Sequence, residues 1–193
     1  MHTIGIDEAG RGALAGPVVV AALALSPNFK LKTTGLPRLR DSKGLSRPQR
    51  EVWAQYLGGH PEVHFATARV YQGGIDRINV AKASNLAASR ALQRLLRELD
   101  ETNHRILLDG SLYLSFEEHR GLGAQTIIKG DEKRTAIKLA SIIAKVTRDR
   151  YLDSLAMRYP GYGFDAHKGY GTYEHYKAIE KYGILKIHRL TYL

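Results

Sequence analysis

Two adjacent acids at the end of an apolar run constrain this chain more than any other feature. Residues 1–17 read MHTIGIDEAGRGALAGP. Ile4 and Ile6 are β-branched positions on either side of Gly5, as in a buried strand. Asp7 and Glu8 follow where the apolar run would otherwise continue. A carboxylate taken out of water is costly unless a cation or hydrogen-bond donors compensate it. Gly10, Arg11 and Gly12 come next, a backbone able to approach a ligand closely beside a guanidinium shaped for phosphate. Acids suited to a metal, next to a turn suited to a phosphodiester, point to metal-dependent chemistry on nucleic acid.

Composition bounds that reading without deciding it. A chain of 193 residues is expected to form a single domain with a core of its own. It has no cysteine, which excludes disulfides and thiolate zinc sites and fits a reducing compartment. No apolar run approaches the ~20 residues of a membrane helix. Residues 1–3 lead straight into the first strand and leave no room for a signal peptide, so a soluble, cytoplasmic protein with no membrane partner is the expectation. The net charge of +10 favours a polyanionic partner, although many basic proteins bind no nucleic acid.

Along the chain, residues 17–25 form a continuous apolar run that reads as a second buried strand paired with the first. Residues 26–50 are loop-rich and basic, containing Asp41, Ser42 and Lys43; a solvated loop and a phosphate-contacting edge are both open readings. Ser46 and Gln49 form a capping box that opens a short helix around Trp53 and Leu57. Residues 63–71 alternate as a third strand, ended by Gly73 and Gly74. Residues 75–99 read as one helix with Ala88, Leu92, Leu95 and Leu99 toward the core and Arg90, Arg94 and Arg97 on a solvated face. Residues 106–108 make a short strand ending on Asp109, and residues 125–128 a fifth, with Asp131 just beyond. A long helix is expected over 133–157, its buried stripe running through Ile137, Ala140, Ala144, Thr147, Tyr151 and Leu155. Lys138, Ser141, Lys145 and Arg148 line a neighbouring stripe open to a ligand. The tail, residues 160–193, interleaves Gly, Tyr and His, which suits either stacking on nucleotides or a loop packed through tyrosine hydroxyls.

Asp7, Glu8, Asp109 and Asp131 thus all lie at or just past strand ends. Open α/β sheets bind ligands there. A single acid at a strand end is more often a turn former or helix cap; four of them form one site if the first and fourth strands are neighbours. Such a cluster persists only if cations neutralise it. All-oxygen ligation favours Mg²⁺ or Mn²⁺.

The ordered motifs GIDEAGRGALAGPVVVAA, DSKGLS, IDRINVAKASNLAASRAL, LLDG, KGDEKRTAIKLASIIAKVTRDR, HKGYGT and GILKIHRLTY resemble type 2 ribonuclease H, the ribonuclease HII family, over nearly the whole chain. The resemblance implies a ribonuclease H-like α/β fold: a central five-stranded mixed sheet flanked by helices, with a helical C-terminal part. It implies catalytic, metal-holding roles for Asp7, Glu8, Asp109 and Asp131, with two divalent ions, Mg²⁺ or Mn²⁺, present with substrate. Gly10, Arg11 and Gly12 match the turn that reads the ribose 2′-hydroxyl and its flanking phosphates. Tyr170 matches a tyrosine that stacks near the ribo–deoxyribo junction, and Ser42 and Lys43 match polar residues beside the substrate path. The implied partners are RNA–DNA hybrids and duplex DNA containing ribonucleotides. A monomer is the expectation, since no apolar surface helix asks for a partner. The implied reaction is endonucleolytic hydrolysis, on the 5′ side of a ribonucleotide, leaving a 3′-hydroxyl and a 5′-phosphate. Lys138 and Leu139 depart from the small-residue run usual before ASI, and no clamp-binding peptide is recognisable near the end. Arg11 and the early first strand set the chain apart from the sister ribonuclease HIII, which carries a lysine in that turn and an extra N-terminal domain. A hybrid-binding protein without catalysis and a different nuclease on the same sheet are the competing classes; fold alone excludes neither.

Overall fold

The structure is a computed structural model, and it describes residues 1–32, 34–99 and 103–193. Its centre is one mixed sheet of five strands: β1 (His2–Ala9), β2 (Val18–Leu25), β3 (Val63–Val70), β4 (His104–Asp109) and β5 (Gln125–Ile127), in the order β3-β2-β1-β4-β5. The first three strands pair antiparallel, and β4 and β5 are parallel additions beside β1. The expected adjacency of the first and fourth strands is therefore present.

Alternation along β1 builds two faces. Ile4 and Ile6 point to one side, where they join Val18, Val20 and Ala22 of β2 and Ala87, Ala91, Leu92 and Leu95 of α3 (Val80–Leu96). Gly5 points to the other side, where α5 (Thr135–Arg158) starts: a Cβ on Gly5 would lie 2.1 Å from the carbonyl carbon of Ala136. Only a residue without a side chain lets that helix lie so close to the central strand. The same side carries Leu23, Leu25, Leu139, Ala140 and Ile143 together with Trp53 and Leu57 of α1 (Arg47–Gly58), which opens on the expected Ser46–Gln49 capping box.

Three local expectations are corrected. Residues 75–99 are not one helix. They hold most of α2 (Gln72–Ile78) and all of α3, separated by Asn79 at φ 63°, whose side chain caps α3 by accepting from Lys82 N–H. Gly73 and Gly74 lie inside α2 rather than ending the strand. The helix expected from residue 133 starts at Thr135, and Asp131 sits in a separate turn, α4 (Gly130–Lys133).

The tail folds back through α6 (Phe164–His167) and α7 (Tyr173–Tyr182) onto the C-terminal half of α5. A third apolar cluster joins Ala15, Leu152 and Leu155 to Tyr162, Phe164, Ala178 and Ile187. Tyr162 and Phe164 stack at 5.5 Å, so these aromatics belong to packing. Ser141 and Arg148, expected on a ligand-facing stripe, are enclosed instead, Arg148 with no exposed surface at all and bonded to the Lys168 carbonyl of the docked tail. Among the described residues no helix is long and apolar enough to cross a membrane.

Candidate active site

Asp7 and Asp109 follow directly on Ile6 and Leu108, which are register partners across the parallel β1–β4 pair. Alternation turns both carboxylates to the α5 side. Asp131, on α4, completes a group whose ligand oxygens lie within 4.8 Å of one another. The geometry is fixed by the backbone. Asp109 Oδ1 accepts from Gly130 N–H at 2.6 Å and from Asp131 N–H at 3.1 Å, and Asp7 Oδ1 accepts from Glu8 N–H at 2.7 Å. Glu8 stands at the rim of this group. Its Oε1 receives Arg11 Nη1 at 3.3 Å, and its Oε2 is buried without a hydrogen-bond partner.

The electrostatics describe a charge deficit. Burial pushes Asp7 well above the ordinary carboxylate range, and Glu8, Asp109 and Asp131 push it further. Burial also raises Glu8, against the opposing pull of Arg11. Asp131 is raised by burial and by Asp109. Three converging carboxylates and an orphaned fourth oxygen fit a divalent cation held by oxygen ligands. Asp7, Asp109 and Asp131 are placed to hold it, with Glu8 adjacent.

Beside the acids runs a cavity of about 330 Å³, lined by Glu8, Gly10, Arg11, Gly12, Ser42, Lys43, Lys145 and Tyr170. The six substrate-contact residues expected from the sequence therefore line one groove. Gly10 adopts φ 90°, and a Cβ there would meet Arg148 Nε at 1.9 Å. Gly12 has nothing within 4 Å of its would-be Cβ, so its backbone faces open space. Arg11 is anchored to Ser111 Oγ at 2.9 Å as well as to Glu8. Asp41 Oδ1 caps the Ser42–Lys43 turn by accepting from Lys43 and Gly44 N–H, each at 2.9 Å. Tyr170 reaches the groove because its segment bridges antiparallel to Ala13, directly after the glycine turn. Lys145 Nζ lies 5.6 Å from the Tyr170 ring centre.

Two buried arginines hold this groove together: Arg148, expected on a ligand-facing stripe, and Arg189, for which the sequence offers no signal. Arg148 donates to the carbonyls of Pro17, Lys168 and Ala15. Arg189 donates to those of Gly10, Arg11 and Gly16, at 2.6, 2.7 and 3.0 Å. They tie the glycine turn to α5 and to the tail, 178 residues away in the case of Arg11 and Arg189.

Comparison with known proteins adds an independent line. The family model for ribonuclease HII matches residues 4–193. The ribonuclease HII of Endomicrobium trichonymphae is 42% identical over 191 residues, covering 97% of this chain and 83% of that protein. That of Neisseria meningitidis serogroup B is 41% identical over 192 residues, covering 98% and 92%. Among solved structures, the ribonuclease HII of Archaeoglobus fulgidus in complex with PCNA superposes with a TM-score of 0.74 at 25% identity, covering 100% of this chain and 96% of that one.

Proposed function

The chain belongs to the ribonuclease HII family and is a ribonuclease H, and from that premise we propose that it hydrolyses the RNA strand of RNA–DNA hybrids and cuts duplex DNA on the 5′ side of single embedded ribonucleotides. Such an activity serves removal of primers and of misincorporated ribonucleotides. One observation carries the reading: Glu8, whose carboxylate adjoins the Asp7–Asp109–Asp131 cluster, lines the same groove as the glycine turn and Tyr170. A phosphodiester in that groove meets the acids and the sugar-reading surface together.

Asp7, Glu8, Asp109 and Asp131 are read as the catalytic ligands of two divalent ions, Mg²⁺ or Mn²⁺. When bound, such a pair supplies an activated water and neutralises charge on the departing 3′ oxygen. The chain's own residues do the rest. Arg11, held by Glu8 and Ser111, presents its guanidinium to a phosphate at a fixed angle. Lys43 adds a point charge along the same wall, and Lys145, paired with Asp149 at 2.7 Å, lines it as well. Gly12 has no side chain facing the groove, so its peptide can reach a 2′-hydroxyl, the group that distinguishes RNA from DNA. Tyr170 offers a ring face to the neighbouring sugar, and Ser42 a hydroxyl to the strand. Products with a 3′-hydroxyl and a 5′-phosphate follow from attack at phosphorus on the side opposite the 3′ oxygen. The third apolar cluster ties the tail to α5, which supports reading residues 1–193 as one catalytic domain; a monomer is the reading we keep for its state in solution.

The deciding assay uses one duplex carrying a single ribonucleotide beside an all-DNA control, with Mg²⁺ and with Mn²⁺. Cutting confined to the ribonucleotide duplex is expected. Equal cutting of both would refute the roles given to the glycine turn and Tyr170. Asp7→Asn and Asp109→Asn should each abolish cleavage and retain binding of the hybrid; full activity in both would sink the metal-site assignment.

A further inference from the structure

Three histidines of the tail, the buried His175 and His188 and the half-buried His167, have no part in the chemistry above. We propose that His188 and His175 form a neutral, one-directional hydrogen-bond relay that positions Tyr170 for recognition of the ribose. This deepens the reading of Tyr170 as a sugar contact and rests on it.

The direction of the relay follows from donors that cannot reverse. Leu185 N–H donates to His188 Nδ1 at 2.8 Å. The Leu185 carbonyl also lies 3.2 Å from that nitrogen, but it already accepts from His188 N–H. Leu185 N–H can only donate and is the nearer partner, so Nδ1 is the acceptor and the ring proton of His188 lies on Nε2. His188 Nε2 stands 3.1 Å from His175 Nε2, so it donates there. His175 must then carry its proton on Nδ1, which lies 2.9 Å from the Tyr170 carbonyl and donates to it. The reverse arrangement would turn a lone pair of His175 onto that carbonyl and leave Leu185 N–H without its acceptor. His167 is fixed by the same logic. Its Nδ1 accepts from Gly169 N–H at 3.1 Å, so its Nε2–H donates to the Tyr162 carbonyl at 2.6 Å. The His167 ring stacks on His175 at 4.3 Å and 16°.

The relay ends on the backbone of the residue that faces the groove. On its other side, the same segment is held by Leu14 and Ala15, whose N–H groups both donate to the Gly169 carbonyl. Tyr170 is thus gripped from the glycine-turn side and from behind. The rings of His175 and His188 are almost wholly enclosed, and burial lowers the proton affinity of both, His175 to about 4. Both rings stay neutral at physiological pH, which the relay requires. Neither touches the groove, so both are positioning residues.

Substitution of His175 separates positioning from plain structural support. His175→Phe keeps an aromatic ring against His167, somewhat larger than the imidazole, and removes both nitrogens. His175→Asn places an amide N–H near the position of Nδ1 and retains the donor to Tyr170. On a duplex with one ribonucleotide, His175→Phe should lower kcat about ten- to a hundredfold, the cost of a small misplacement at a reacting site. KM should change little, since Arg11, Lys43 and Lys145 are untouched. His175→Asn should recover most of kcat. Combined with Tyr170→Ala, His175→Phe should add no further loss. In the unsubstituted protein, nitrogen-15 NMR should show Nδ1–H for His175 and Nε2–H for His188. That readout stands even if a variant fails to fold. The opposite tautomers, an equal loss in the Phe and Asn variants, or an undiminished His175→Phe effect in the Tyr170→Ala background would overturn the relay. If Tyr170→Ala alone leaves cleavage intact, it is the sugar-contact reading of Tyr170 that fails, while the NMR result still judges the hydrogen-bond direction.

Discussion

Asp7 is the residue at which folding and function oppose each other most directly. Its carboxyl is buried among three other acids and is raised well above 3.8. The sign follows from linkage: the native state holds this proton more tightly than the unfolded chain does. The resulting stabilisation is present below the unfolded value and is lost as pH rises through the native one. At neutral pH without divalent ions, the charged carboxylate therefore works against the fold. Asp7→Asn should raise the Tm of the metal-free protein at pH 7 by about 2–4 °C, the shift expected for ~1 kcal/mol in a chain of this size, while activity is lost. Mg²⁺ or Mn²⁺ should raise the Tm of the parent and not that of the variant. A less stable Asp7→Asn protein in differential scanning calorimetry would contradict this. Gly10 and Gly12 make a second contrast two residues apart. A Cβ on Gly10 collides with the Arg148 guanidinium at a positive φ, whereas one on Gly12 meets nothing. Gly10→Ala should cost more than ~2 kcal/mol in urea unfolding, through overpacking and strain together. Gly12→Ala should stay within about ±0.5 kcal/mol and lower kcat/KM by intruding on the groove.

At the scale of elements, what could be read from the sequence was what repeats locally. The strands were visible because apolar residues alternate or run together, and the Ser46–Gln49 cap because its spacing is fixed by one helical turn. The acid cluster was visible because each acid follows an apolar strand, so a parallel sheet brings them to one end. Asn79, a residue type that caps helices and tolerates positive φ, is the single local mark of the break, and it is masked because Ile78 and Val80 continue the apolar pattern on both sides. Arg148 was misplaced for a different reason. Helical spacing puts it on a stripe with Lys145, and it is the segment after β1 and the docked tail, both brought from far along the chain, that enclose it. Arg189 belongs to the same class: its partners are main-chain carbonyls of the glycine turn, which have no side-chain signature in the sequence. Both act as ties between elements. Arg189→Lys tests this, since a lysine keeps the charge but cannot fan out to Gly10, Arg11 and Gly16 together. Leaving buried carbonyls unsatisfied should cost about 2–4 kcal/mol, against less than ~0.5 kcal/mol for the exposed Arg97→Lys control. Equal unfolding free energies for the two variants would show that the tie carries no stability.

At the scale of the whole molecule, the net charge of +10 is divided between two faces with different roles. On the α3 face, Arg90 and Arg97 are exposed on a helix that packs against the side of the sheet turned away from α5. On the other side, Lys43 and Lys145 line the groove; Lys43 acts on Asp131, while Lys145 is already paired with Asp149 at 2.7 Å. Several bases of the 26–50 segment are already committed within the fold. Arg50 donates to the Ser42 and Leu45 carbonyls, and Arg47 pairs with Asp153. The total charge therefore overstates how many cations a bound duplex can meet, and only those at the groove should contribute to counterion release. The test is binding of an RNA–DNA hybrid across a range of salt, measured in the cleavage-deficient Asp109→Asn background. Lys43→Ala should weaken binding and reduce the slope of log K against log salt by about 1, the signature of one lost phosphate contact. Arg90→Ala removes the same formal charge from the opposite face and should leave both affinity and slope unchanged. If the two variants shift the slope equally, the duplex responds to the overall charge of the protein, and the groove has no privileged claim on the phosphate backbone.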